Sequence, residues 1–261
     1  MPSTYAHYRF GREVYRTLPR SIREIVRENK SLYMTGLHGP DILFYYKALF
    51  PNRINQIGFS MHGRPASEFF LRNVGELSEE QKAYLIGFIC HFALDSACHG
   101  YIDEKIESSG ITHTEIEVEF DRMLMIRDGH DPLRHRLTDH ILANIENSRI
   151  ISTTFRGVTQ KHIKKSLRSM KFYNNLLVAP YMTKRLRIYF LLWITGNYKE
   201  MHGLLVNRRA NPKCADSNRE LYRRYKEAVP LAVELIRNYC EVLDGKQKEL
   251  LPQFEHTFGA Q

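Results

Sequence analysis

With 261 residues, the chain can bury a substantial core as one large domain or two small ones. Apolar residues make up 43% and charged residues 26%, which excludes a disordered chain. The formal charge of +9 is uneven: residues 1–150 carry 18 Lys and Arg against 20 Asp and Glu, whereas residues 151–261 carry 20 against 9. The basic C-terminal part suits anionic partners such as phosphate esters, lipid headgroups or nucleic acid, unless it is only a solvated helical surface.

The N-terminal stretch MPSTYAHYRFGREVY lacks the basic-then-apolar layout of a signal peptide, and the most apolar run, IYFLLWI, is too short to cross a bilayer. A cytoplasmic, soluble chain is therefore expected. Four cysteines fit that compartment, and all four are expected to be buried as small apolar residues. Cys90 and Cys98 lie too far apart on one predicted helix to pair.

Helix-period apolar patterns recur along the chain and strand signals are scarce. Helices are predicted near 8–29, 40–50, 65–73, 78–107, 113–127, 131–148, 159–177, 180–195, 198–206 and 217–243. Pro19, Pro40, Pro51, Pro132, Pro180 and Pro212 mark starts or breaks, and Pro230 predicts a kink or a split in the last helix. No repeat, low-complexity tract or linker interrupts the pattern. The expectation is a single all-α domain over residues 1–261, a bundle with its site between buried helices.

Residues 82–102, KAYLIGFICHFALDSACHGYI, are apolar nearly all round the helical wheel, which marks a central buried helix. Cys90, Ala93 and Ala97 put small residues on one side, where a neighbour could approach closely. Within this helix sit His91, Asp95 and His99. A buried carboxylate needs a positive charge or several donors. Spaced four apart, the three residues drift by only about 40° per step and point roughly one way. The rise from His91 to His99 is about 12 Å, whereas zinc–ligand bonds are only about 2 Å long. If all three are ligands, more than one metal is implied, with Asp95 between.

His113 and Glu117 form a second pair four apart, on a helix that a capping box of Thr112 and Glu115 would start at His113. Either pair alone is commonly a surface hydrogen bond. Upstream, His7 lies near the N-terminus, Asp41 follows Gly39-Pro40 where it could cap a helix, and His62 precedes Gly63 in an expected loop. Phe44, Tyr45, Tyr46, Phe59, Phe69 and Phe70 lie close in sequence to these residues and are either core or the lining of a headgroup or base pocket.

The order His7, Asp41, His62, His91-x3-Asp95, His99, His113-x3-Glu117 resembles the zinc-dependent phospholipase C family, whose superfamily also contains the fungal single-strand nucleases. The resemblance covers roughly residues 5–121. It implies an all-helical fold and a cluster of two or three Zn2+ ions: one held by Asp41, His62, His91 and Asp95, a second by His99, His113 and Glu117, and a third by His7 with Asp95 bridging. It further implies a hydrolase that cleaves phosphodiesters by a metal-bound hydroxide, with Asp41 as general base. The expected substrate is a phosphate ester, such as a phospholipid, and an anionic membrane surface is a possible partner. Single-stranded nucleic acid, or a non-catalytic metal-stabilised binding domain, are the alternatives, and no obligate protein partner is evident.

Two features depart from the family pattern. The family completes its third zinc with an N-terminal tryptophan, and here Met1-Pro2-Ser3-Thr4-Tyr5 offers none; His38 is the candidate substitute. The family also places the histidine after its bridging aspartate six residues on, whereas His99 follows Asp95 by four. The remaining histidines, including His130, His135 and His140, are expected to be surface or core residues.

Overall fold

The computed structural model describes residues 4–259. Its α-helices are α1 (Thr4–Thr17), α2 (Arg20–Glu28), α3 (Lys30–Gly36), α4 (Arg53–His62), α5 (Ala66–Arg72), α6 (Glu79–Ser109), α7 (His113–Arg127), α8 (Ile145–Thr154), α9 (Gln160–Leu177), α10 (Met182–Ile194), α11 (Tyr198–Met201) and α12 (Ala215–Leu243). Short 3-10 turns at Gly39–Tyr45, His202–Leu204, Pro212–Cys214 and Pro252–Glu255 complete the regular structure. No strand occurs among the described residues, so the expected all-α class holds.

The axis of the fold is α6. Ser78 and Gln81 close a reciprocal capping box at its start, and Gly110 ends it in the left-handed conformation at φ 67°. Between these signals the run from Ala83 to Leu94, apolar apart from His91, is buried on every side. Among the described residues it is the one helix long and apolar enough to cross a membrane, yet 78% of its apolar window lies inside the protein.

Glycine brings α3 onto this axis. A Cβ at Gly87 would lie 2.2 Å from the Tyr33 carbonyl oxygen, and one at Gly36 would lie 2.2 Å from that of Tyr84. The two backbones touch only because neither residue has a side chain. Of the small residues Cys90, Ala93 and Ala97, Cys90 meets this same helix α3, its thiol 3.5 Å from the Tyr33 hydroxyl, and the Ala97 carbonyl accepts from Arg224 on α12.

Several boundaries differ from the sequence expectation. The predicted helix over 8–29 is divided at Leu18-Pro19, where proline at the N-cap starts α2. Of residues 40–50 only 40–45 are helical, in a 3-10 turn, and the unexpected α4 follows because Asn52 and Asn55 cap it reciprocally. The predicted helix over 131–148 is turns until Asn144 caps α8, since Asp131 instead bonds the Leu133 amide and Pro132 cannot donate. Thr112 caps α7 as predicted, but Glu115 does not reach back; its carboxylate accepts from Asn211. Pro230 lies within α12 without splitting it, because packing against α6, α1 and α7 along its length offsets the lost hydrogen bond. All four cysteines are free, and Cys240 is only half-buried.

One expected outcome follows from the glycine contact. Gly87→Ala should destabilise the fold by about 1–3 kcal/mol, as overpacking does. A urea titration monitored by circular dichroism measures it, and an unchanged midpoint would contradict the contact.

Candidate metal centre

Four segments converge on the polar face of α6. The first is α1, whose leading turn is fixed by a carboxylate on another helix. Asp121 of α7 accepts the backbone amides of Tyr5 and Ala6 at 3.0 and 2.7 Å. A buried negative charge at this helix start satisfies two otherwise orphaned donors and suits the helix dipole. A second clamp joins the same helices, with Asp128 accepting from Tyr5 and Arg9. His7 is thereby delivered to α6, where its Nε2 lies 3.0 Å from Asp95 Oδ1.

The second segment is the 3-10 turn carrying Asp41. It begins at Gly39, whose φ is 45°, and a Cβ there would lie 2.2 Å from His91 Cδ2. Glycine at this position lets the turn rest on the His91 ring and sets Asp41 Oδ1 4.0 Å from His91 Nε2. The third segment is α4, which ends at His62, so this residue is helical instead of in the expected loop. His62 Nε2 lies 3.1 Å from Asp41 Oδ1 and 4.0 Å from Asp95 Oδ2. The fourth is α7, where His113 and Glu117 sit 3.0 Å apart, and Glu117 Oε1 lies 3.7 Å from His99 Nε2.

All eight residues singled out in the sequence therefore meet, in three groups whose facing atoms lie within 4.8 Å of one another. These are His7, His91 and Asp95; Asp41, His62 and His91; and His99, His113 and Glu117. His91 and Asp95 sit at i and i+4 with Nε2 and Oδ2 3.0 Å apart, and the Asp95 carboxylate turns its other oxygen to His7. His99 belongs with the α7 pair and not with His91, as the rise along α6 requires. A cavity of about 20 Å³ lies between His7, Asp95, His99 and Glu117, and room for one ion or water needs roughly that space.

The donor set fits a metal cluster. Asp41 Oδ1, both ring nitrogens of His91, Asp95 Oδ2 and Glu117 Oε2 are buried without a hydrogen-bond partner. Native interiors rarely leave such atoms alone, and a cation would satisfy several at once. The rings are also oriented for ligation. His62 Nδ1 donates to the Gly58 carbonyl at 2.9 Å and His99 Nδ1 to that of Asp95 at 3.1 Å. Each bond turns Nε2 toward the carboxylates, as in metal sites whose ligand histidines are held from behind.

Without a cation, an Nε2 facing a carboxylate must carry a proton. Burial alone would lower the pKa of His62, but the Asp41 carboxylate facing its Nε2 and the charge of Asp95 carry it up to about 9. His7 follows the same pattern, burial opposing and Asp95 prevailing, and Glu117 raises His113. Asp95 is held well below the usual carboxylate range: burial opposes this, and His91, His99 and His7 overcome it.

His38 does not join any of the groups among the described residues. Its Nε2 lies 2.8 Å from that of His140, which in turn stacks on Tyr8. Met1, Pro2 and Ser3, where the family's tryptophan would be sought, lie outside the described residues. Of the aromatics near the ligands, Phe69, Phe70 and Tyr45 are core, while exposed Phe59 stacks on Phe44 at 4.3 Å beside His62. Sequence reasoning missed Asp121, Gly39 and Phe258, the last of which packs its ring against His62 and His91. The acid-rich run ending at Asp121 was visible, but its contact with α1 is not local.

A family model described as zinc dependent phospholipase C matches residues 6–173, a span that includes all eight residues and ends within α9. No curated protein and no solved structure matches the chain.

The protonation pattern has opposite consequences with and without metal. In protein stripped by a chelator, a His62 pKa raised from 6.5 to about 9 contributes stability that is full below pH 6.5 and is lost as pH rises through 9. Zinc needs the neutral ring, so its binding expels the proton and tightens over the same range. Melting curves with chelator and with zinc should therefore diverge as pH rises toward 9. Parallel curves would contradict the assignment of His62. Separately, Asp121→Ala should cost about 1.5–3 kcal/mol, as loss of hydrogen bonds to a charged group does, and should lower zinc content by displacing His7.

Proposed function

The chain belongs to the zinc-dependent phospholipase C family, and on that premise we propose that it is a hydrolase of phosphate esters that cleaves the phosphodiester of a phospholipid headgroup. The observation that carries the reading is the convergence of three groups of buried, hydrogen-bond-orphaned donor atoms around Asp95, all within the family match. Asp41, His62, His91 and Asp95 would hold one zinc, His99, His113 and Glu117 a second, and His7 with Asp95 a third. Bound there, zinc neutralises phosphoryl oxygens and lowers the pKa of water.

The chain's own residues supply the rest. Asp41 is buried between His62 and His91 on the turn that Gly39 lets rest on the His91 ring. On this reading it takes the proton from the attacking water, the role of a general base. His91 and His7 stack at 4.3 Å and seal the inner side of the cluster, which keeps bulk water from it. His62 and His113 retain partial exposure, so substrate approaches along their edges. Phe44 and Phe59 flank the His62 edge and offer an apolar wall to the headgroup or the glycerol chain beyond it.

Metal analysis and a hydrolysis panel test this reading. Two or three zinc ions per chain, with turnover of phosphatidylcholine vesicles but not of single-stranded DNA, is the expected result. Turnover of DNA alone would move the protein to the nuclease class, and zinc without hydrolysis would make the centre structural. Asp41→Asn should lower turnover by about 100-fold or more, the scale of a lost general base. Asp95→Asn should lower zinc content together with activity.

A further inference from the structure

Other long helices of this fold turn their apolar side inward, but α10 does not. Its sequence MTKRLRIYFLLWI buries only Arg185 and Ile188. Leu186, Phe190, Leu191, Trp193 and Ile194 each expose more than half of their surface, Trp193 as much as 69%. Residues spaced like Met182, Leu186, Phe190 and Trp193 form a continuous stripe along a helix. Soluble monomers rarely expose so large an apolar patch without a use for it.

The surroundings of the stripe indicate what covers it. Between Arg156 and Lys213 the sequence holds 13 Lys and Arg and a single acid, Glu200. Arg187 on the helix, and Lys199, Arg208 and Arg209 after it, are exposed and have no carboxylate partner among the described residues. Two copies meeting about a twofold axis through this face would set these cations against one another. An anionic lipid surface instead complements both the apolar stripe and the charges. With 13 residues, α10 is too short to span a bilayer and would lie in its interface, where tryptophan is favoured.

The patch is also joined to the metal centre. The turn after α11 rests on the start of α7: a Cβ at Gly203 would lie 2.9 Å from Thr114 Oγ1 and 3.1 Å from the Glu115 amide, on the residues directly after His113. Asn207 donates to Glu119 at 2.8 Å, and Arg122 donates to the Asn207 carbonyl. The same helix thus carries His113 and Glu117 and anchors the segment that bears the patch.

We propose that α10 is an interfacial docking helix, which lays Leu186, Phe190 and Trp193 into the boundary between headgroups and acyl chains of an anionic bilayer. Its purpose rests on the phospholipid reading of the metal centre, but its test does not. Trp193 is the single tryptophan of the sequence and reports its own environment.

Phosphatidylcholine vesicles containing phosphatidylserine should shift its emission to the blue, more strongly than phosphatidylcholine alone and less strongly in high salt. Leu186→Ser and Phe190→Ser should each lower vesicle partitioning by about 10-fold, the scale of exposing one buried apolar side chain. Both variants should keep the melting temperature and the turnover of soluble bis(p-nitrophenyl) phosphate. No shift with either vesicle, or partitioning unchanged in the double variant, overturns the proposal. A blue shift that follows protein concentration without lipid also overturns it and assigns the face to a second copy. Vesicle binding without phospholipid cleavage upholds the docking helix while removing the phospholipid reading. Cleavage of the soluble diester without vesicle binding overturns the docking helix and leaves phosphodiester hydrolysis at the metal centre standing.

Discussion

A single carboxylate, Asp95, sets the terms for the rest of the structure. It sits on the long central helix α6, almost wholly out of water, where an uncompensated charge would cost several kcal/mol even after relaxation. Compensation cannot come from α6 alone, because His91 and His99 reach it from one side only. His7 must be brought from α1 and His62 from α4. The docking of α1 and α4 against α6 is therefore tied to the electrostatics of one side chain. Histidine suits this task because it can offer either a proton to the carboxylate or a lone pair to a cation. Lysine or arginine at these positions would neutralise Asp95 permanently and leave nothing to bind a metal.

The supporting contacts show how such precision is kept. Gly36 and Gly87 let two helix backbones touch, and Gly39 lets the Asp41 turn lie on the His91 ring. Asp121 fixes the beginning of α1 from α7. None of these residues faces a ligand position itself. Each removes a degree of freedom from an element that does, so that the donor atoms are held by backbone packing instead of by side-chain choice. The carbonyls of Gly58 and Asp95 add the last constraint by choosing which nitrogen of His62 and His99 faces inward.

Much of this was legible in the sequence, for identifiable reasons. The central helix was clear because burial on nearly every side leaves an apolar run with few polar positions. The spacing of His91, Asp95 and His99 already implied more than one metal if all three are ligands, since helix rise is fixed. What escaped was decided between elements. The expected helix over 131–148 failed because Asp131 and Asn144 bond their own backbone, which outweighs apolar spacing. The loop expected at His62 became a helix because Asn52 and Asn55 cap it ten residues upstream. Asp121 and Phe258 gave no local cue at all, since their partners lie more than 100 residues away. Grouping His7 with His91 as well as Asp95 required coordinates for the same reason.

The three groups differ in exposure, and under the proposed assignment that difference divides their work. His7, His91 and Asp95 are sealed between α1, α6 and the Asp41 turn, with Phe258 closing the outer side of His91. A site enclosed in this way has no room for substrate and serves to fix its neighbours. His62 and His113 stand at the two accessible edges, one beside the Phe44–Phe59 pair and the other beside the turn that leads back to α10. An ester that touches both edges would span the sealed group, with its phosphate near Asp41 and its apolar remainder directed along either flank. The rigid interior and the accessible rim are thus consequences of one arrangement: burial concentrates the charges that hold metal, and only the residues at its boundary can meet a ligand from outside.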